Sequence, residues 1–186
     1  MLTQDCSRRS LLGAAAVGIL SVRGPARPAQ TGQAATVILF RHAEKETDGR
    51  DPDLTRDGEE RAEALARMLR EANVTRIFST DTRRTRATVA PLAEQLELEI
   101  EPYKTRGFAV KLGAMKGETV AVSGHSNTVP AIARALGGEL AGLTDDGHFP
   151  DDQYDRVIIQ TLWSPEDEDP MRAIQTLDLR LDPCPR

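Results

Sequence analysis

The stretches that most constrain the fold of this chain are two short, almost wholly apolar runs. Val37-Ile38-Leu39-Phe40 and Thr119-Val120-Ala121-Val122-Ser123 are rich in branched residues and lack the polar alternation of a strand with one wet face. Such runs are strands buried on both sides, as in a parallel sheet with helices above and below it. Helical stripes lie between them. Ala62, Leu65, Ala66 and Leu69 repeat at the spacing of one buried helix face, and Thr55 stands where an N-cap belongs. Thr85, Thr88, Val89, Leu92, Ala93 and Leu96 form a second stripe. Pro91 falls inside it and predicts a kink or two abutting helices.

Further strands are predicted at 76–79, 98–101, 156–162 and 173–179, and a short helix around 108–112. Thr128 and Pro130 read as the cap and first turn of another helix, which ends at Gly137-Gly138. Strands alternating with helices predict an α/β three-layer sandwich, a mostly parallel central sheet with helices on both faces. At 186 residues the chain is long enough for one domain with a real core.

The first 34 residues read differently from the rest. Arg8-Arg9 precede an apolar stretch from Leu11 to Val22, and Gly, Pro and small residues follow to Ala35. The stretch is too short to span a membrane and has the layout of a signal peptide. Paired arginines before a mild apolar stretch resemble a Tat signal, with cleavage after Ala29 or Ala34. The expected organisation is a targeting segment over 1–34 and a globular domain over 35–186, located in the periplasm or secreted, with no stable membrane association after cleavage. Of the two cysteines, Cys6 lies in the targeting segment. Cys184 alone closes no internal disulfide and holds no metal by itself.

Outside the first 34 residues the chain carries 20 basic against 28 acidic residues, a balance of -8. That charge repels nucleic acid at long range, so nucleic acid is not an expected partner. An anionic ligand would have to be held by local arginines. Arg41-His42 follows the strand at 37–40, and Gly124-His125 follows the strand at 119–123. In an open α/β sheet the carboxyl ends of neighbouring strands converge on one crevice. A helix start follows His125, and its free N–H groups and dipole favour an anion. Two imidazoles, a guanidinium and a helix N-terminus around one crevice suit a phosphoryl group.

At these residues the chain resembles the histidine phosphatase superfamily, branch 1, with its phosphoglycerate mutase-like fold. Arg41-His42-Ala43-Glu44-Lys45 is similar to that family's first motif, and Leu54-Thr55, Gly58 and Arg61-Ala62 to its next segment. Ser79 through Thr88 resembles the segment that supplies a second phosphate-binding arginine; its pattern selects Arg84, with Arg83 and Arg86 as weaker fits. Gly124-His125-Ser126-Asn127-Thr128 resembles the segment bearing the second histidine, and Tyr154-Asp155 also looks familiar. The likeness covers roughly residues 36 to 180. The compact connection between the second stripe and the strand at 119 makes the chain similar to the small bacterial phosphohistidine phosphatase.

The resemblance implies a phosphomonoesterase working through a phosphohistidine on His42, with no cofactor. Arg41, Arg84, Ser126 and Asn127 would bind substrate, and His125, protonated beside the dianion, would donate a hydrogen bond as the P–O bond breaks. The general acid is the weakest element: Ser126 follows His125 where some relatives carry an acid. Glu101 is the first candidate, with Glu44 and Glu46 behind it. His148 reads as a surface-loop residue, and the Asp-rich stretch 145–155 as a solvated loop rather than a metal site. The compact build favours an open pocket and a bulky substrate such as a cell-envelope sugar phosphate, and export argues against cytoplasmic phosphorelay proteins. A mutase-like phosphotransferase, which needs a lid, and a non-catalytic phosphate-binding module are the competing readings.

Overall fold

The computed structural model describes residues 32–165 and 170–181. The stretch 1–34, expected to be a targeting segment, lies outside the described residues except for 32–34, and so do Cys6 and Cys184. In chain order the elements are β1 (Gly32–Arg41), α1 (Arg56–Leu69), β2 (Arg76–Ser79), α2 (Arg83–Leu96), β3 (Ile100–Pro102), α3 (Phe108–Gly113), β4 (Thr119–Gly124), α4 (Thr128–Ala135), β5 (Arg156–Pro165) and β6 (Arg172–Arg180). The six strands form one sheet in the order β3-β2-β4-β1-β5-β6.

The apolar run of β1 feeds both faces of the sheet because successive strand side chains point to opposite sides. Val37 and Leu39 join Val120, Val122, Phe78 and Ile158 beneath the side chains of α3 and α4, including Phe108, Leu112, Val129 and Ile132. Ile38 and Phe40 join Ile77, Ala121 and Val157 beneath Leu65, Leu69, Val89 and Leu92 of α1 and α2. Each such side chain, fully buried, stabilises the fold by about 1.5–3 kcal/mol. This is the sandwich that uninterrupted apolar runs require.

Three features sharpen the sequence reading. β3, β2, β4 and β1 run parallel, but β5 pairs antiparallel with β1, and β6 antiparallel with β5. β1 also begins earlier than its apolar run: Gly32 to Thr36 pair with Pro165 to Thr161 on β5, so the ordered strand starts ahead of residue 35. And α2 is a single helix running through Pro91.

Local chemistry explains where the helices begin. Thr55 caps α1, its hydroxyl accepting from the Gly58 N–H at 3.1 Å. Gly58 is needed there, since a Cβ would fall 2.1 Å from the Glu44 carbonyl oxygen. The turn after β1 and the first turn of α1 therefore touch backbone to backbone. At α4 the N-cap position is Asn127, which makes no side-chain cap bond. Thr128 uses its hydroxyl to accept from the His125 N–H at 2.8 Å.

Candidate active site

β1 and β4 are neighbours in the sheet, paired from Thr36↔Thr119 to Arg41↔Gly124. The next residue on each strand is a histidine. Two imidazoles far apart in sequence thus leave the sheet side by side, with ring centroids 5.5 Å apart and planes at 68°. That separation lets one phosphorus atom sit within reach of both. The His42 N–H also donates to the Gly124 carbonyl at 2.8 Å, tying the two turns together.

His42 is held by main chain. Its Nδ1 lies 2.7 Å from the Ala43 carbonyl oxygen. A carbonyl only accepts, so Nδ1 carries the proton and Nε2 keeps its lone pair. The Ala43 N–H donates to the Thr88 hydroxyl at 2.9 Å, and that hydroxyl donates to the Arg84 carbonyl at 2.7 Å. Thr88 is a strut between α2 and the His42 turn. Burial pushes the His42 pKa down to about 3; its bond to Ala43 opposes the shift, and the charges of Arg41 and Arg84 add to it. The ring is neutral, the form a nucleophile requires.

His125 is held by side chains. Its Nε2 lies 3.0 Å from the Thr80 hydroxyl and its Nδ1 3.5 Å from an Arg84 Nη2. Thr80 in turn donates to the Thr85 hydroxyl at 3.0 Å, so it receives the His125 Nε2–H. Burial, then Arg84 and Arg41, push the His125 pKa down to about 4, with Asp51 opposing. In the free protein this ring is neutral; the cation expected from the sequence is the ring beside a bound dianion. The reason is that two guanidiniums and a dry wall surround it; a phosphate dianion would reverse that balance.

Arg41 is buried at the end of β1. Its Nη1 donates to the carbonyls of Pro150, Asp151 and Gln153, at 2.9, 3.0 and 3.1 Å, and its Cζ lies 4.2 Å from the Tyr154 ring centroid. Tyr154 packs on the His42 ring as well, at 5.9 Å between centroids. Arg84 is held by Asp51 at 3.1 Å. The Nε–H groups of Arg41 and Arg84 are both buried without a protein partner. Such a donor costs about 1–3 kcal/mol when left unmade, so each has hydrogen-bonding capacity to offer an oxyanion.

These groups line a pocket of about 480 Å³ whose walls are Arg41, His42, Lys45, Arg84, His125, Ser126, Asn127 and His148. Arg83, the competing arginine, turns instead to Asp53 at 2.5 Å. Glu101 is not among the lining residues. Its carboxylate is gripped by Arg76 at 2.7 and 2.6 Å, and those bonds hold its pKa below the usual carboxylate range. Glu44, although it follows His42 closely, is forked onto Arg61. Burial works to raise its pKa, but the Arg61 bonds prevail and leave it lowered. Glu101 and Glu44 are therefore committed anions, and Glu46, the third candidate, does not line the pocket. His148 and Lys45 were not expected in the pocket. Lys45 is brought there by the Lys45↔Leu54 bridge across the loop, and His148 by the bond from the Phe149 N–H to the Ser126 carbonyl at 2.9 Å. Neither tether leaves a sequence signal.

Among the described residues no group of histidine, cysteine and carboxylate side chains is placed to hold a metal ion. Comparison with known proteins is consistent with this geometry. The model for the histidine phosphatase superfamily (branch 1) matches residues 37–120. No curated protein matches. The fold is similar to that of mycobacterial hydrolase 2 (TM-score 0.65, 15% identity, covering 83% of this chain and 94% of that one). It also resembles the protein histidine phosphatase SixA complexed with tungstate (0.57, 16%, 76% and 96%) and a mycobacterial glucosyl-3-phosphoglycerate phosphatase (0.56, 14%, 80% and 99%). The architecture is the phosphoglycerate mutase-like one.

Proposed function

We propose that this chain is a histidine phosphatase of the branch 1 superfamily that hydrolyses phosphomonoesters through a phosphohistidine on His42. The observation that carries the reading is the state of His42: its Nδ1–H is spent on the Ala43 carbonyl, its ring is neutral, and its Nε2 is free for attack beside a second imidazole. Nε2 attacks phosphorus in line, the P–O bond breaks, and water later cleaves the P–N bond. Arg41 and Arg84 offer fixed N–H donors to the non-bridging oxygens, where charge gathers in a loose transition state. His125 takes up a proton as the dianion arrives, keeps Nε2–H on Thr80, and donates Nδ1–H to a phosphoryl oxygen. Ser126 and Asn127 line the same wall near the start of α4.

The pocket volume exceeds that of a phosphoryl group several-fold, which supports a substrate with a sizeable leaving group. SixA is described as a protein histidine phosphatase and another neighbour as a glucosyl-3-phosphoglycerate phosphatase, so phosphoproteins and sugar phosphates are the two substrate classes to compare. With export through the paired-arginine segment, we favour a sugar phosphate of the cell envelope. The test uses p-nitrophenyl phosphate with the native chain and with His42→Ala. Turnover that persists in EDTA and vanishes in the variant supports the proposal; equal rates in both remove His42 as nucleophile. Phosphate binding with no turnover in the native chain would favour a non-catalytic module.

A further inference from the structure

We infer that His148 is the general acid that protonates the leaving oxygen, an inference that rests on the phosphatase reading above. The pocket has no carboxyl group in its lining. Two carboxylates beside its arginines and nucleophile turn are taken: Glu44 by Arg61, and Asp51 by Arg84 and the Arg83 N–H. The other lining groups are committed as well. His42 must attack, His125 is bound between Thr80 and Arg84, and the Lys45 Nζ turns to the Glu46 carbonyl at 3.4 Å. His148 remains. Its imidazole lines the pocket, half-buried, and neither ring nitrogen has a hydrogen-bond partner among the described residues.

The ring is also placed rather than merely present. The His148 carbonyl accepts from the Thr144 N–H at 2.9 Å, and its own N–H donates to the Thr144 hydroxyl at 3.2 Å. The next residue, Phe149, is fully buried under the Arg156 guanidinium at 4.5 Å, and its N–H reaches Ser126, the residue that follows His125. One residue further, the Pro150 carbonyl is held by Arg41 itself. The segment carrying His148 is thus bolted to two residues of the phosphate pocket. An imidazole so placed is a side chain of the type most often used for proton transfer near neutral pH.

The step balances. His42 Nε2 gives its lone pair to phosphorus while the P–O bond breaks; the departing oxygen keeps the bonding pair and receives the proton of the His148 imidazolium. In the second half, neutral His148 takes a proton from the water that attacks phosphorus, the P–N bond breaks, and His42 recovers its lone pair as inorganic phosphate leaves.

The experiment compares the full chain with His148→Asn and His148→Ala on two esters, p-nitrophenyl phosphate and ethyl phosphate. Nitrophenolate leaves without a proton, whereas an alkoxide does not. On ethyl phosphate kcat/KM should fall by about a hundredfold, at least tenfold more than on the nitrophenyl ester, in both variants, with melting curves that overlay the native one. Equal losses on the two esters, no loss on ethyl phosphate, or a native chain unable to cleave ethyl phosphate would each overturn the assignment. Absence of His42-dependent nitrophenyl turnover in the native chain would instead show that the phosphatase reading has failed, and the role of His148 with it.

Discussion

The two halves of the pocket begin alike and end differently. Each histidine is the first residue beyond a parallel strand, and the two strands are paired to their last residues. On the β1 side the imidazole is fixed by backbone: the Ala43 carbonyl, the Gly124 carbonyl and, through Thr88, the body of α2. On the β4 side it is fixed by the Thr80 hydroxyl and a guanidinium. Main-chain anchors hold one tautomer and one position. The Thr80 hydroxyl accepts the His125 Nε2–H whether or not Nδ1 carries a proton, so the second ring can change its protonation state without losing its place. The contrast suits a nucleophile that must stay neutral and a partner that must follow the charge on phosphorus.

The largest expected effects test this division directly. His42→Asn should reduce kcat by at least about 10⁴-fold, because an amide in that place cannot form the covalent intermediate. His125→Asn removes one donor to the transition state and should cost about 10²–10³-fold in kcat. Similar losses in the two variants, measured by steady-state kinetics, would erase the distinction between the sides. Thr80→Val comes next. It frees one nitrogen of His125 and should lower kcat by about tenfold, the lower range of a positioning contact, while leaving the fold intact by circular dichroism. On the other side, Thr88→Val deletes the acceptor of the buried Ala43 N–H. It should cost about 1–3 kcal/mol of stability in urea unfolding, more than Thr80→Val does.

A separate effect is on acid stability. The His42 pKa falls from its ordinary 6.5 to about 3 on folding, and that of His125 to about 4. The fold therefore favours the neutral rings. Their contribution is complete above about pH 6.5 and is lost progressively as the pH drops towards those folded values. Thermal melts from pH 7 to pH 4 should show His42→Asn losing less stability than the native chain. Equal slopes would mean that His42 is not held neutral.

Much of this arrangement is legible in the chain. Val37 to Phe40 and Val120 to Val122 are apolar on every residue, which only a strand covered on both faces tolerates, and the turn beyond each then has to lie at the sheet's carboxyl edge. Arg84 stands four residues, one helical turn, before Thr88, so both face the β1 turn. What could not be read depends on contacts across the fold. Gly32 to Thr36 belong to β1 only because β5 runs beside them. The link between β5 and β6 is too short for a parallel crossover, so the antiparallel pair at that edge is the part of the mostly parallel sheet that the spacing itself requires. Glu101 has the sequence position of an acid, but Arg76, on the neighbouring strand, neutralises it. His148 has no motif at all, and only the bonds of Phe149 and Pro150 bring it to the pocket. Pro91 shows that a helix packed along one face can accommodate a missing N–H.

The central claim is that the phosphoryl group rests on the Nε2 of His42. Mixing the native chain with p-nitrophenyl phosphate, quenching in alkali, and mapping the modified peptide by mass spectrometry reads this directly. One phosphoryl group per chain, acid-labile and alkali-stable, is expected on the peptide containing Arg41 to Lys45, and none in His42→Asn. A phosphoryl group on His125, on His148 or on a hydroxyl, or steady turnover with no trapped intermediate in either protein, would contradict it.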